Sequence, residues 1–424
     1  VPWDDAHGVL SFRYTEPMTW WMKMDSSLPR TPATALRARA ELAQGQNAHS
    51  RRLAQVTQVA GMFDEAGEPC LQFQDTPWCN GAVWSLNPNP WLGTPPSGTA
   101  SDSNRPKPEL ATNAATMYWS PTIQDQLYGP KAKGRLDGEY LDSLEGYVTA
   151  ELNFRRDHFR DSTVPLTFDT ATKQPALFKG LAVFEFTQWM AEDVHRLGKL
   201  MFANGVPYRF ACLCPWLDVL GTETDWMRGD TYQPASLAQM DLWRTLSGAK
   251  PYLLLMNTDY DKFTPDRVEK YFQRALFYGM FPGMFSHNAA DNPYWQTPKW
   301  YNRDRSLFKR YLPIVKRVAE AGWHPVPHAT CDNERILLER FGPDAAGNVY
   351  LTAYNDTAEP QTGTLQVDRR ALGLPTSASA RELLSGKLPE PAGRGGKADG
   401  SEAASGGWRI HLRPQEVAVL HLSR

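Results

Sequence analysis

From residue 9 to about residue 322, short apolar runs alternate with longer stretches whose apolar positions recur at helical spacing. The strand-like runs are "VLSFRY" (9–14), "CLQFQ" (70–74), "GEYLDSL" (138–144), "VPLTF" (164–168), "KLMFANG" (199–205), "PYLLLMN" (251–257) and "GMFPGMF" (279–285). Helical patterns fall between them, at roughly 33–60, 108–128, 179–197, 235–247, 265–278 and 304–321. "TPDRVEKYFQRALFYG" is well punctuated, with Thr264 as N-cap, Pro265 at the first helical position and Gly279 as the stop. Such alternation predicts a mostly parallel sheet with helices outside it. The strand count suits a (β/α)8-type barrel, incomplete at its N-terminus if one or two strands lie upstream of Val1. No Gly-rich phosphate-cradling turn opens a helix, which weighs against a dinucleotide-binding fold.

After Gly322 the period changes. "RILLERFG", "NVYLTAYND", "TGTLQVD", "ARELLSG", "WRIHLRP" and "EVAVLHLSR" are short alternating runs between turn residues, the pattern of an antiparallel β-sandwich. The expected domains are therefore a barrel over 1–324 and a sandwich over 325–424. Residues 389–407 are low in complexity and read as a mobile loop. A second long stretch, 76–107, is rich in Pro and Trp and reads as a lid.

Composition adds one distinctive feature. Among 424 residues are 15 Trp, 16 Tyr, 18 Phe and 33 Pro. Many of the Trp sit in polar, Pro-rich segments such as "MTWWMKM", "CPWLDVLGTETDW" and "NPYWQTPKWYN". A Trp in such a loop either plugs a gap beneath it or offers a flat apolar face to a ligand such as a sugar ring. A net charge of -2 argues against a general nucleic-acid or membrane-surface binder. No apolar run reaches the ~20 residues needed to cross a bilayer. The five cysteines have no metal-binding spacing, although Cys70 and Cys79 could close a small loop. The start "VPWDD" reads as a trimmed mature chain or a fragment, with a secreted or periplasmic location expected.

Candidate chemistry concentrates in "RLDGEYLDSLEGY" (135–147), where four carboxylates cluster around a strand. In barrel enzymes the chemistry lies at the C-terminal strand ends. Asp137 and Asp142 are five strand residues apart, on the order of 16 Å, so they cannot form a close pair. Alternation puts Tyr140 and Asp142 on one face and Glu139, Leu141 and Ser143 on the other. Asp142 is thus expected at the barrel mouth, with helix capping or an Arg pair as the bland alternative. Glu145, just past the strand, is a candidate substrate contact.

Comparable strand ends supply Glu16 with the Trp20–Trp21 pair, Asp169, Asn204 and Asp259. The loop after Asn204 adds Trp216, Asp218, Glu223 and Trp226, and the loop after the last strand adds His287 and Trp295. A ring of carboxylates, amides and Trp suits glycoside hydrolysis, in which one carboxylate attacks the anomeric carbon and another protonates the leaving oxygen. Glu223 is the first choice for the second role, because Trp226 beside it would desolvate it; Glu16 and Asp218 come next. Each of these acids has a structural reading too. No cofactor or metal is expected: no HExxH motif occurs, and Asp169, Asp259 and Asp261 lack the frame of a calcium loop.

With "YLD" (140–142) at a strand end and a sandwich behind it, the chain resembles retaining glycoside hydrolases of the α-amylase and α-galactosidase kind. It is similar above all to the endo-α-N-acetylgalactosaminidase type. The resemblance implies a nucleophilic Asp142, a carbohydrate substrate and further chain upstream of Val1. The competing readings are a non-catalytic carbohydrate-binding protein on a degenerate barrel and a metal-dependent hydrolase.

Overall fold

The structure, a computed structural model, describes residues 1–76, 78–93, 112–146, 151–375, 378–391 and 407–423. Its chain divides into two compact units, Val1–Leu220 and Gly221–Arg424.

In the first unit, helix α1 (Pro2–Ala6) precedes strand β1 (Phe12–Thr15). Next come β2 (Thr19–Lys23), α2 (Pro32–Leu42), α3 (Ala48–Ala60), β3 (Leu71–Asp75) and β4 (Asn80–Ser85). Strands β2, β4 and β3 form an antiparallel sheet whose Trp20, Met22 and Trp84 pack with Leu53, Ala54 and Val56 of α3. Helices α4 (Ala114–Tyr118) and α5 (Pro121–Tyr128) lead to β5 (Gly138–Leu141). A small antiparallel sheet follows, built from β6 (Leu152–Asn153), β7 (Thr167–Phe168) and β8 (Pro175–Phe178), with α6 (Arg156–Phe159) in the first connection. Helix α7 (Lys179–Arg196) then feeds β9 (Leu200–Asn204). Strands β1, β5 and β9 are parallel neighbours, with Phe12, Gly138 and Leu200 in register and Thr15, Leu141 and Ala203 in register.

Strand β10 (Val219–Thr224) carries the chain into the second unit. A short hairpin, β11 (Met227–Arg228) and β12 (Thr231–Tyr232), and α8 (Leu237–Ser247) precede β13 (Tyr252–Thr258). Helix α9 (Pro265–Phe277) connects β13 to its parallel partner β14 (Phe281–His287), and α10 (Pro298–Ala321) follows. Two antiparallel sheets complete the unit. One orders β15 (Trp323–His324), β17 (Ile336–Phe341), β18 (Val349–Asn355), β23 (Val417–Ser423) and β20 (Ser379–Glu382). The other orders β16 (Ala329–Cys331), β19 (Gln361–Val367), β22 (Trp408–Leu412) and β21 (Glu390–Pro391). Leu351, Leu365, Ile410 and Leu420 share their apolar core.

The chain is thus a mixed α/β protein with parallel strands and separate antiparallel sheets. Two expected barrel strands are instead antiparallel: residues 70–74 fall in the β3–β4 hairpin and residues 164–168 lead into the β7–β8 hairpin. Alternation shows that one face of a strand is buried but is silent on the direction of its neighbour. Residues 219–224, expected as loop, form β10. The expected helix over 33–60 is two helices, each with its own side-chain cap, at Thr31 and Asn47. All five cysteines are free; Cys70 lies at the open end of the β3–β4 hairpin and Cys79 at its turn, too far apart to bridge. Residues 80–85 of the expected lid form β4, while its residues 94–107 and residues 392–406 of the expected mobile loop lie outside the described residues.

Close strand approach explains the glycine in "DGEYLD". A Cβ on Gly138 would lie 2.0 Å from the Leu200 carbonyl oxygen and 2.8 Å from the Phe12 ring. Gly138→Ala is expected to cost about 1–3 kcal/mol in urea unfolding. Wild-type stability in that variant would contradict the close packing of β1, β5 and β9.

Candidate active site

The register of β1, β5 and β9 sorts their side chains into two faces. Arg13 and Glu139 pair on one face, where Glu139 is fully buried and accepts from Arg13 Nε and Tyr128 Oη, each at 2.7 Å. Burial raises the Glu139 pKa, and Arg13 and Tyr128 oppose the rise. Glu139 is therefore a structural ion pair under the helices. On the other face, Tyr14, Tyr140 and Phe202 are register partners with touching rings, at centroid distances of 5.7 and 4.6 Å.

One alternation step further along that face come Glu16, Asp142 and Asn204. The Asp142 amide continues the ladder by donating to the Thr15 carbonyl (2.9 Å). Its carboxylate accepts three hydrogen bonds, from Tyr14 Oη (2.6 Å), Asn204 Nδ2 (2.7 Å) and the Ser143 amide (2.8 Å). Ser143 takes φ 51°, a left-handed conformation that costs a non-glycine residue about 1 kcal/mol. The turn is held by the Leu144 amide on the Asn204 carbonyl. Surrounding protein and the Asp142 charge hold the Tyr14 phenol well above its ordinary pKa, so it keeps its proton and donates. Asp137, at the opposite end of β5, accepts from the Ser11 amide.

Glu16 follows Thr15 as Asp142 follows Leu141, on neighbouring strands about 5 Å apart. It is partly buried. Thr19 Oγ1 donates to it, and Trp21 Nε1 lies 3.1 and 3.2 Å from its two oxygens. Burial pushes its pKa up to about 7; the bonds from Thr19 and Trp21 oppose this, the Asp142 charge adds to it and Lys179 opposes it. The face thus carries two carboxyl groups in different surroundings, one open to several donors and one desolvated.

The remaining sequence candidates separate by position. Tyr140 lies in the ring layer beneath Asp142. Glu145 is 1% exposed, and its carboxylate accepts the amides of Tyr208 (3.0 Å), Arg209 and Phe210 (2.9 Å), so it shapes the loop after β9 rather than facing a ligand. Trp20 is buried in the core and offers no ring face to a ligand, whereas Trp21 is partly exposed. Asp169 is not at a parallel strand end; it caps the β7–β8 turn through the Thr172 amide and hydroxyl. Asp218 binds the Met201 amide and His195, near the start of β9 and away from Asn204 at its end. Trp216 packs edge-on against Phe184 of α7.

In the second unit, Glu223 lies exposed near the end of β10 and accepts from Asn257 Nδ2 (3.2 Å). Trp226, expected to desolvate it, is itself buried against Tyr232 and Tyr271. Trp295 is 55% exposed, beside Tyr294 and Phe308. Asp259, Asp261 and His287 place ligand-type atoms within 4.8 Å of one another. There Lys299 Nζ already lies 2.7 Å from Asp261, Trp300 Nε1 donates to the same carboxylate and the Tyr260 amide donates to His287 Nδ1. The Lys299 ammonium supplies the positive charge this cluster calls for. Arg303 and Arg305 bind Asp304 and Asn302.

Two participants escaped the sequence reading. Tyr14 was open to the alternation argument that placed Tyr140 and Asp142, because it is two residues before Glu16. Lys179, fully buried at the start of α7, looks in sequence like an ordinary helix-surface lysine.

No protein-family model matches the chain, and no curated protein matches it. Among solved structures, a maltogenic α-amylase from Thermotoga neapolitana aligns with 99% of this chain and 79% of its own, at 10% identity and a TM-score of 0.49. A GH27 β-L-arabinopyranosidase from Geobacillus stearothermophilus aligns with 100% of this chain and 76% of its own, at 13% identity and a TM-score of 0.43. An α-galactosidase from Mortierella vinacea aligns with 57% of this chain and 63% of its own, at 11% identity and a TM-score of 0.35. All three are glycoside hydrolases. Likeness this distant carries no weight for chemistry, which rests on the residues above.

A raised carboxyl pKa also has a signature in stability. Glu16 favours the folded state fully below its ordinary value of 4.5, and that contribution is lost as pH rises through about 7. Stability measured from pH 4.5 to 7.5 should fall less steeply in Glu16→Gln than in the wild type. Parallel profiles would contradict the desolvated environment of Glu16.

Proposed function

We propose that the chain is a glycosidase that cleaves an oligo- or polysaccharide by double displacement, with Asp142 as nucleophile and Glu16 as acid/base. The observation that carries this reading is the pairing of the two groups on one face of adjacent parallel strands in contrasting environments. Tyr14, Asn204 and the Ser143 amide orient the Asp142 carboxylate. Glu16, with a pKa of about 7, retains a proton on a substantial fraction of molecules at neutral pH.

In the first step an Asp142 oxygen bonds to the anomeric carbon as the glycosidic C–O bond breaks. The bonding pair leaves with the departing oxygen, which takes the proton from Glu16. In the second step the Glu16 carboxylate removes a proton from water, whose oxygen attacks the anomeric carbon and releases Asp142. Adjacent strands about 5 Å apart bring the two backbones side by side, and a retaining reaction calls for carboxyl groups about 5–5.5 Å apart. Trp21, beside Glu16, supplies an aromatic face for a sugar ring.

The sequence alone points instead to Glu223 as the acid, an exposed carboxylate near the end of β10. Variants separate the two, on a panel of oligosaccharides with released sugars analysed by mass spectrometry. Asp142→Asn should abolish turnover. The true acid, changed to Gln, should lower kcat by about 100-fold or more on a sugar leaving group and far less on an aryl one. That pattern in Glu223→Gln with wild-type behaviour in Glu16→Gln would transfer the role. Wild-type turnover in Asp142→Asn would end the proposal.

A further inference from the structure

The first unit encloses a lysine that the two-carboxylate chemistry does not use. Lys179 is 0% exposed at the first turn of α7, where the helix dipole disfavours a cation and burial disfavours it further. A charge placed so expensively needs specific partners. Its ammonium donates to the Met18 carbonyl (3.0 Å) and to Ser85 Oγ at the end of β4 (2.7 Å). The same Met18 carbonyl accepts the Leu86 amide, so residue 18 is tied both to α7 and to the chain after β4. Met18 lies in the turn between β1 and β2, directly before Thr19, whose hydroxyl donates to Glu16.

We propose that Lys179 is a positioning residue that holds the Glu16 carboxyl in place beside Asp142, by clamping the Met18 carbonyl and setting a positive charge behind the turn. This inference rests on the reading of Glu16 as the acid. Glu151 and Cys70 face Lys179 from the small-sheet side and the β3 side, with Glu16 on its third side. Around Glu16 stand Asp142 just after β5, Lys179 of α7, Tyr14 of β1 and Tyr118 of α4. Burial lowers the Lys179 pKa to about 8, which leaves the group mostly charged at neutral pH. Its charge opposes the upward push of burial on Glu16, so removing it should make the Glu16 proton harder to lose.

The test is a pH titration of the full chain carrying 13C-carboxyl-labelled Glu, with the Glu16 signal assigned by its loss in Glu16→Gln. The wild-type midpoint is expected near 7. In Lys179→Met and Lys179→Gln it should rise by about half a unit or more. Gln can still donate to Met18 and Ser85 but carries no charge. It should therefore recover most of the turnover that Met loses, an expected loss of about 10-fold or more in kcat with KM little changed. A wild-type midpoint near 4.5 would overturn the acid assignment itself. A wild-type midpoint near 7 that stays put in both variants would overturn the role of Lys179 alone. Should the Met variant not fold, the midpoint in the Gln variant decides the matter.

Discussion

Everything proposed for this protein depends on the parallel register of three short strands. Because Tyr14, Tyr140 and Phe202 are ladder partners, their rings pack side by side in a layer, and the next positions on that face, Glu16, Asp142 and Asn204, come out together at the strand ends. A slip of one residue in β5 would exchange Asp142 for Leu141 and bring Glu139 to the same face. Gly138 and the Arg13–Glu139 pair oppose that slip from opposite directions. The glycine allows no side chain at the point of closest approach, and the ion pair needs the helix side to remain buried.

The same frame accounts for the contrast between the two acids. Asp142 ends its strand in a tight turn and is met by donors from β1, from β9 and from its own turn. Glu16 ends its strand against Thr19 and Trp21, where packing removes water faster than hydrogen bonds replace it. Two carboxyl groups whose surroundings push them apart can divide acid and nucleophile between them. The aromatic content fits the same picture only in part, since Trp20, Trp84 and Trp226 are core residues while Trp21 and Trp295 keep exposed surface.

What could be read from the sequence followed local periodicity, and what could not depended on partners. A strand starting at Gly138 and the opposite facing of Glu139 and Asp142 were legible, because a period of two needs no tertiary information. The strand's end at Leu141 instead of Leu144 was not. Six of the nine described strands in the two C-terminal sheets were legible by the same periodicity. The other three, β15, β16 and β21, have two or three residues each and are too short to show a period. Residues 70–74 and 164–168 have equally good strand texture, and nothing local marks their neighbours as antiparallel. Strand β10 was hidden because "VLGTET" is short and sits between "CPWLD" and "DWMRG", whose texture is that of a loop. Lys179 was invisible, because its burial is imposed by the β1–β2 turn and β4, about 160 and 95 residues away in sequence.

The central claim is that Asp142 forms a covalent bond to the sugar while Glu16 handles protons. It is tested most directly by intact-mass and peptide analysis of Glu16→Gln during turnover of an aryl glycoside. An aryl leaving group departs without an acid, whereas the second step still needs a base, so the glycosyl-enzyme should accumulate. The account predicts one added glycosyl mass, confined to the peptide that contains Asp142. An adduct on any other carboxylate, or steady release of sugar with inverted anomeric configuration and no adduct, would contradict it.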